Sequence, residues 1–234
     1  MEISVSGVTI LVGNYGSGKT EVAVNLAIDQ KRKGRDVRVA DLDLVNPYFR
    51  TRQARQVLNN LGIEVILPPL HLLQADLPVL SPQVAGMIKQ TEGLAILDVG
   101  GDDVGATVLA ALADAFVDLD PAPRMLQVVN PFRPTTDSVD RCLRMRRAIE
   151  ASAHLPVCGW IGNANMMEET SLNTIRFGYD FMQRLATASG LPLEFITVSP
   201  ALLPPQAQID FACPVLPICR QLVPPWKAAD ALLP

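Results

Sequence analysis

Gly13, Gly18, Lys19 and Thr20 stand in the spacing Gly-x4-Gly-Lys-Thr, within GNYGSGKTE and directly after the apolar run VTILV. Glycines let a backbone turn sharply enough for several N–H groups to point at one anion. A helix beginning at the end of such a loop presents its positive N-terminal end to the same anion. A lysine there carries a mobile charge to β- and γ-phosphates, and the hydroxyl of Thr20 is a hard oxygen ligand suited to Mg²⁺. Gly13, Asn14, Tyr15, Gly16, Ser17, Gly18, Lys19, Thr20 and Glu21 are therefore the candidate phosphate cradle, with Lys19 as its catalytic cation.

A phosphate loop needs carboxylates on neighbouring strands. In AILDVGGDD, Asp98 closes an apolar run and begins a D-x-x-G stretch ending at Gly101. Its carboxylate is suited to hold Mg²⁺ through water. The Gly101 N–H is suited to meet a γ-phosphate, so that the loop would respond to hydrolysis. In VADLDLVNPYFRTR, Asp41 and Asp43 follow a second apolar run. One of them can orient an attacking water, since phosphoryl transfer needs positioning more than a strong base. Thr20, Asp43 and Asp98 make the candidate metal set. Arg50 and Arg52 either answer phosphate charge or form an exposed basic helix face.

The elements that must position these residues follow from periodicity. Apolar runs at 8–13, 36–41, 94–100, 125–130, 156–162 and 193–199 read as strands buried on both faces. Helical patterns are expected at 18–33, 47–60, 81–90, 103–116, 136–151 and 168–189. Asn46 is placed to cap the second of these, with Pro47 at its first position. The alternation predicts an α/β fold: one P-loop domain over 1–234, with a mostly parallel sheet and helices on both faces. A Pro-rich insertion occupies about 67–82, and the chain from about 200 is irregular. In VVNPFRPTTDS, Thr135 or Thr136 is expected to cap the following helix, while Arg133 touches either nucleotide or partner. Arg141, Arg144, Arg146 and Arg147 read as a solvated helix face.

Composition narrows the function. The 234 residues are 49% hydrophobic and carry a net charge of −4. A large core is available, and general nucleic-acid affinity is disfavoured. No run approaches the length of a membrane span. The stretch MEISVSG lacks a basic-then-apolar signal pattern, so a cytoplasmic protein is expected. Cys142, Cys158, Cys213 and Cys219 show no C-x-x-C spacing and read as reduced thiols.

Together the loop at 13–20, the Asp-x-Asp at 41–43 and DVGGD resemble the MinD/ParA-type (SIMIBI-class) branch of P-loop ATPases, related to CobQ/CobB nucleotide-binding domains. The resemblance spans about residues 8–200. It implies that Asp43 orients the water, that Asp98 serves magnesium, and that Asp102 is a further switch residue. It also implies that Asn163 contacts adenine, and that Pro200 and Ala201 line the base pocket. Many members carry a second lysine after the first glycine, reaching across a nucleotide-sandwiched dimer. Asn14 stands there instead, so a nucleotide-dependent homodimer would need another cation, such as Arg50 or Arg52. No N-K-x-D guanine motif follows the 156–162 run, which favours ATP. The resemblance thus implies a Mg²⁺-dependent ATPase switch acting on a partner protein. The alternatives are a ligase or kinase that activates a carboxylate, with a substrate pocket formed around His71, and a nucleotide-binding scaffold.

Overall fold

A computed structural model describes residues 1–43, 51–67, 82–90, 92–203, 211–223, 229–230 and 232. Eight strands form one all-parallel sheet in the order β3-β2-β4-β1-β5-β6-β7-β8. They are β1 (Gly7–Val12), β2 (Val37–Leu42), β3 (Glu64–Ile66), β4 (Leu94–Val99), β5 (Arg124–Val129), β6 (Val157–Gly162), β7 (Leu193–Val198) and β8 (Val215–Pro217). The helices are α1 (Lys19–Arg32), α2 (Arg55–Asn60), α3 (Pro82–Lys89), α4 (Asp102–Ala110), α5 (Ala113–Phe116), α6 (Val139–Ala153) and α7 (Leu172–Ser189).

The unbroken apolar runs are explained by two cores. Val8, Ile10 and Val12 of β1 face a layer containing α3, α4 and α5. Leu11 faces the opposite layer, built on α1 and α2. Alternate residues of one strand thus enter different cores, so both faces are mostly apolar. The order in which strands are added reverses around β1: β2, β3 and β4 lie on one side, and β5 to β8 on the other. The carboxyl ends of strands at such a reversal are where open α/β sheets take ligands. The loop at 13–18 leaves β1 at that point.

Six predicted strands coincide with β1, β2, β4, β5, β6 and β7. The short edge strands β3 and β8 were not expected, since three residues are too few to show a period. β8 lies within the C-terminal segment expected to be irregular. The helix expected at 103–116 is two, α4 and α5, separated at Ala111 and Leu112. The helix expected from 168 begins at Leu172, capped by Ser171, after a 3-10 turn at Met167–Glu169. Of the helix expected over 47–60, Thr51–Ala54 is 3-10 and Arg55–Asn60 is α. Asn46, Pro47 and Arg50 lie outside the described residues, as do 68–81, which include His71.

α6 is capped by Ser138, whose Oγ accepts from the Arg141 N–H. Thr136 instead turns inward and donates to the Asn130 carbonyl at 2.7 Å. A buried hydroxyl must find an acceptor, and the Asn130 carbonyl is nearer than the helix end.

Candidate functional site

The loop Gly13–Gly18 closes on itself through Ser17 N–H to Asn14 C=O, at 3.1 Å. Its glycines 13, 16 and 18 all hold positive φ, at 141°, 75° and 88°. At Gly13 a Cβ would lie 2.4 Å from the Val128 carbonyl oxygen, so a side chain would push the loop off β5. At Gly18 it would lie 2.2 Å from Asn163 Nδ2. α1 then starts with no side-chain cap, which leaves its first N–H groups directed at the loop. Ser17 Oγ is buried without a hydrogen-bond partner. An uncapped helix end beside an orphaned hydroxyl fits an anion.

Lys19 is buried, and its Nζ donates to the Asn14 carbonyl at 3.2 Å. Burial lowers its pKa, while the charges of Asp98, Asp43 and Asp102 oppose that shift. The lysine therefore shares one field with three of the carboxylates singled out in the sequence. Asp41 and Asp98 are register partners on β2 and β4, and both are fully buried. Burial, and then Asp41, push the Asp98 pKa up to about 7; Lys19 and the hydroxyls of Thr51 and Thr20 pull it back. Thr51 Oγ1 donates to Asp98 Oδ2 at 2.8 Å, while Asp98 Oδ1 is buried with no partner. An orphaned carboxylate oxygen beside the Thr20 hydroxyl is the donor set a hydrated Mg²⁺ would take. Among the described residues no group of three or more His, Cys, Asp or Glu could hold a metal. A Mg²⁺ here would thus be completed by phosphate and water, as is usual for this ion.

Asp43 is tied to Asp41 through its N–H, at 3.1 Å to Oδ1. Its own Oδ1 lies beside Gly100, 3.2 Å from where a Cβ would stand. Asp102 donates its N–H to the Gly13 carbonyl at 3.0 Å and opens α4 with a φ of 62°. Loop 98–102 therefore touches both the phosphate loop and the Asp43 carboxylate.

Asn163 follows β6. Its Nδ2 donates to the Ser17 carbonyl at 2.7 Å, and its Oδ1 accepts from Thr197 Oγ1 at 2.5 Å. It latches the loop to β6 and β7, with one N–H and one lone pair remaining. Pro200 and Ala201 form a 3-10 turn just beyond β7. Tyr15 is exposed at the loop tip. Arg133 reaches the phosphate loop from the segment after β5, with Nε donating to the Gly16 carbonyl at 3.0 Å. Glu21 points elsewhere: its carboxylate accepts from the N–H groups of Gln221 and Leu222.

Sequence reading missed Thr51 and Thr197. Thr197 had a signal, as a polar residue inside the apolar run of β7; Thr51 had none. A cavity of about 510 Å³ opens near β3 and α3, lined by Arg38, Arg55, Glu64, Gln83 and Met87 among others. No phosphate-loop residue lines it.

No protein-family model matches the chain, and no curated protein matches it in sequence. Solved structures do match. Cell division protein FtsY of Thermotoga maritima is 20% identical with a TM-score of 0.58, over 85% of this chain and 63% of that one. The signal recognition particle 54 kDa protein of Aeropyrum pernix, solved with GDP, is 19% identical with a TM-score of 0.56, over 84% and 42%. FlhF, solved with GTP and Mg²⁺, is 16% identical with a TM-score of 0.52, over 88% and 70%. The chain spans less than two thirds of the length of the first two. At such identities the likeness is one of fold, and it carries no assignment to the MinD- and ParA-type branch. No helix among the described residues is long and apolar enough to cross a membrane. The chain has the P-loop nucleoside triphosphatase fold that these three proteins share.

Proposed function

We propose that the chain is a Mg²⁺-dependent ATP hydrolase of MinD/ParA type that acts as a nucleotide switch on a partner protein. The observation that carries this reading is the convergence of Lys19, Asp43 and Asp98 at an uncapped helix end, with Ser17 Oγ and Asp98 Oδ1 left without partners.

In this reading the backbone of Gly13 to Glu21 wraps the phosphates, and Lys19 neutralises charge on the β- and γ-oxygens. Thr20 and Asp98 would hold Mg²⁺. The bound ion supplies Lewis-acid stabilisation of charge on the phosphate oxygens. Asp43 orients a water in line with the γ-phosphorus. A new P–O bond forms to that water as the β–γ bridging P–O bond breaks, giving ADP and phosphate. The contacts from loop 98–102 to Gly13 and Asp43 support a switch, because a γ-phosphate would press on both loops at once.

Adenine is favoured over guanine by the four residues directly after β6, Asn163-Ala164-Asn165-Met166, which offer amides and no carboxylate. Guanine readers present a carboxylate to the base in this place. Asn163, Pro200 and Ala201 would form the base side.

The test is titration calorimetry with Mg-ATP and Mg-GTP. ATP is expected to bind more tightly, and Lys19→Ala to abolish binding of both. Unchanged affinity in Lys19→Ala would sink the site. Equal affinity for the two nucleotides would remove the adenine role of Asn163. Light scattering with a non-hydrolysable ATP analogue against Mg-ADP then reports whether a homodimer forms with Asn14 in place of the second lysine.

A further inference from the structure

Glu21 is the third residue of α1, and Lys19 and Thr20 are the first two. A glutamate in that turn normally faces solvent, where it serves the helix dipole at little cost. Here it is partly buried, and both of its carboxylate oxygens are engaged. Its Oε1 accepts from the Gln221 N–H at 2.7 Å and from Asn25 Nδ2 at 3.1 Å. Its Oε2 accepts from the Leu222 N–H at 3.0 Å. One turn further along α1, Asn25 makes a two-way bond with Cys219: Nδ2 to the carbonyl at 3.0 Å, and Oδ1 from the N–H at 2.9 Å. Cys219–Leu222 is therefore fastened to the phosphate-side helix by four bonds between its backbone and the Glu21 and Asn25 side chains, with Ile218 and Leu222 buried in the same core as α1.

The same four residues reach the other side of the site. Arg220 Nη1 meets Glu168 Oε1 at 2.9 Å, in the loop that runs on from Asn163. Upstream, the Ile218 N–H donates to the Val198 carbonyl, next to the Pro200–Leu202 turn. Asp230 closes the segment from behind, accepting from the Arg220 N–H and donating its own N–H to the Arg220 carbonyl, both at 2.8 Å. The segment joins the three places that a nucleotide would bridge: the α1 turn, the loop after β6 and the turn after β7.

We infer that Cys219–Leu222 is a clasp that positions the nucleotide site, holding its phosphate and base sides in register and setting how long nucleotide stays bound. This rests on the nucleotide-site reading above. Thr20 and Glu21 are consecutive, so the turn that grips phosphate and the carboxylate that grips the clasp move as one body. Linkage then runs both ways: clasp order retains nucleotide, and bound nucleotide orders the clasp.

The experiment pairs hydrogen exchange with release kinetics. In the wild-type protein, exchange of the peptide spanning 218–223 is measured with and without saturating Mg-ADP. Release of a fluorescent ADP is then timed in wild type, in Glu21→Gln, and in Arg220→Ala should the first variant not fold. Glu21→Gln keeps the size but faces an amide N–H₂ toward an N–H donor, so about one charge-assisted hydrogen bond is lost. Release is expected to quicken about tenfold. Bound nucleotide is expected to slow exchange of the clasp amides. Clasp exchange indifferent to nucleotide, or wild-type release from a folded variant, overturns the clasp. A wild-type protein that binds no nucleotide overturns the site reading itself, and is told apart by the calorimetry.

Discussion

Gly18→Ala probes the geometry of the loop more sharply than removal of a charged residue. Gly18 has a φ of 88°, where an L-residue pays about 1–2 kcal/mol. Its new Cβ would also lie 2.2 Å from Asn163 Nδ2. That atom holds the Ser17 carbonyl at 2.7 Å, and the same side chain accepts from Thr197 at 2.5 Å. Displacing Asn163 breaks both bonds, at about 1 kcal/mol each. The substitution should therefore cost about 3–4 kcal/mol. For a chain of this size that is a melting temperature lower by about 6–16 °C.

A second variant separates the two causes. Asn163→Ala alone should cost about 2 kcal/mol, because it removes the latch but leaves the backbone unstrained. If the clash with Asn163 is real, the double variant loses the latch only once. It should be about 2 kcal/mol more stable than the sum of the singles. Thermal and urea melts of the four proteins give the cycle. Additivity within about 0.5 kcal/mol would refute the reasoning, since Gly18→Ala would then act through φ alone and Asn163 would not be its obstacle.

Three further outcomes are expected. Folding raises the Asp98 pKa from the usual carboxylate value to about 7, so the folded chain holds a proton that the unfolded chain has released. Without nucleotide the fold should lose stability as pH rises from about 4 to about 7 and level off above, and Asp98→Asn should flatten that slope; identical melts against pH would reject it. Mg-nucleotide uptake should release this proton near neutral pH, visible as calorimetric heats that differ between buffers of unlike protonation enthalpy. Thr51→Val should raise the Mg²⁺ concentration needed for half-maximal binding about tenfold, from loss of a hydroxyl that orients a carboxylate, while Thr51→Ser should restore it. A Mg²⁺ titration unchanged in Thr51→Val would leave Thr51 a packing residue.

The parts of the site that were legible in the sequence are those fixed by local geometry. Gly13, Gly18, Lys19 and Thr20 sit within eight residues, and their spacing alone sets the turn and the helix start. Asp43 and Asp98 were legible because each stands at the carboxyl end of an apolar run, and parallel strands put their carboxyl ends on one edge. Registry could not be read: Asp41 faces Asp98 directly across β2 and β4, and that pairing raises the Asp98 pKa. Nor could contacts of large sequence separation be read. Glu21 meets residues 221 and 222 because β8 returns the chain to the α1 side of the sheet, and β8 is only three residues long.

Asn163 shows how one position can carry two roles. Its place after β6 was legible from the strand-to-loop segment GWIGNAN, and the resemblance assigned it to the base. The structure engages both ends of its amide elsewhere, one on Ser17 and one on Thr197. Base contact and loop latching are not rivals, because an amide offers two donors and two lone pairs and the latch uses one of each. The two roles predict different losses. Asn163→Asp replaces the donor on Ser17 with a carboxylate facing a carbonyl, so the loop should loosen toward every nucleotide alike. Thr197→Val spares that donor and frees the Oδ1 end, so any change should fall unequally on ATP and GTP. A uniform loss in both variants would make Asn163 a latch alone and move the reading of the base to the turn at Pro200 and Ala201.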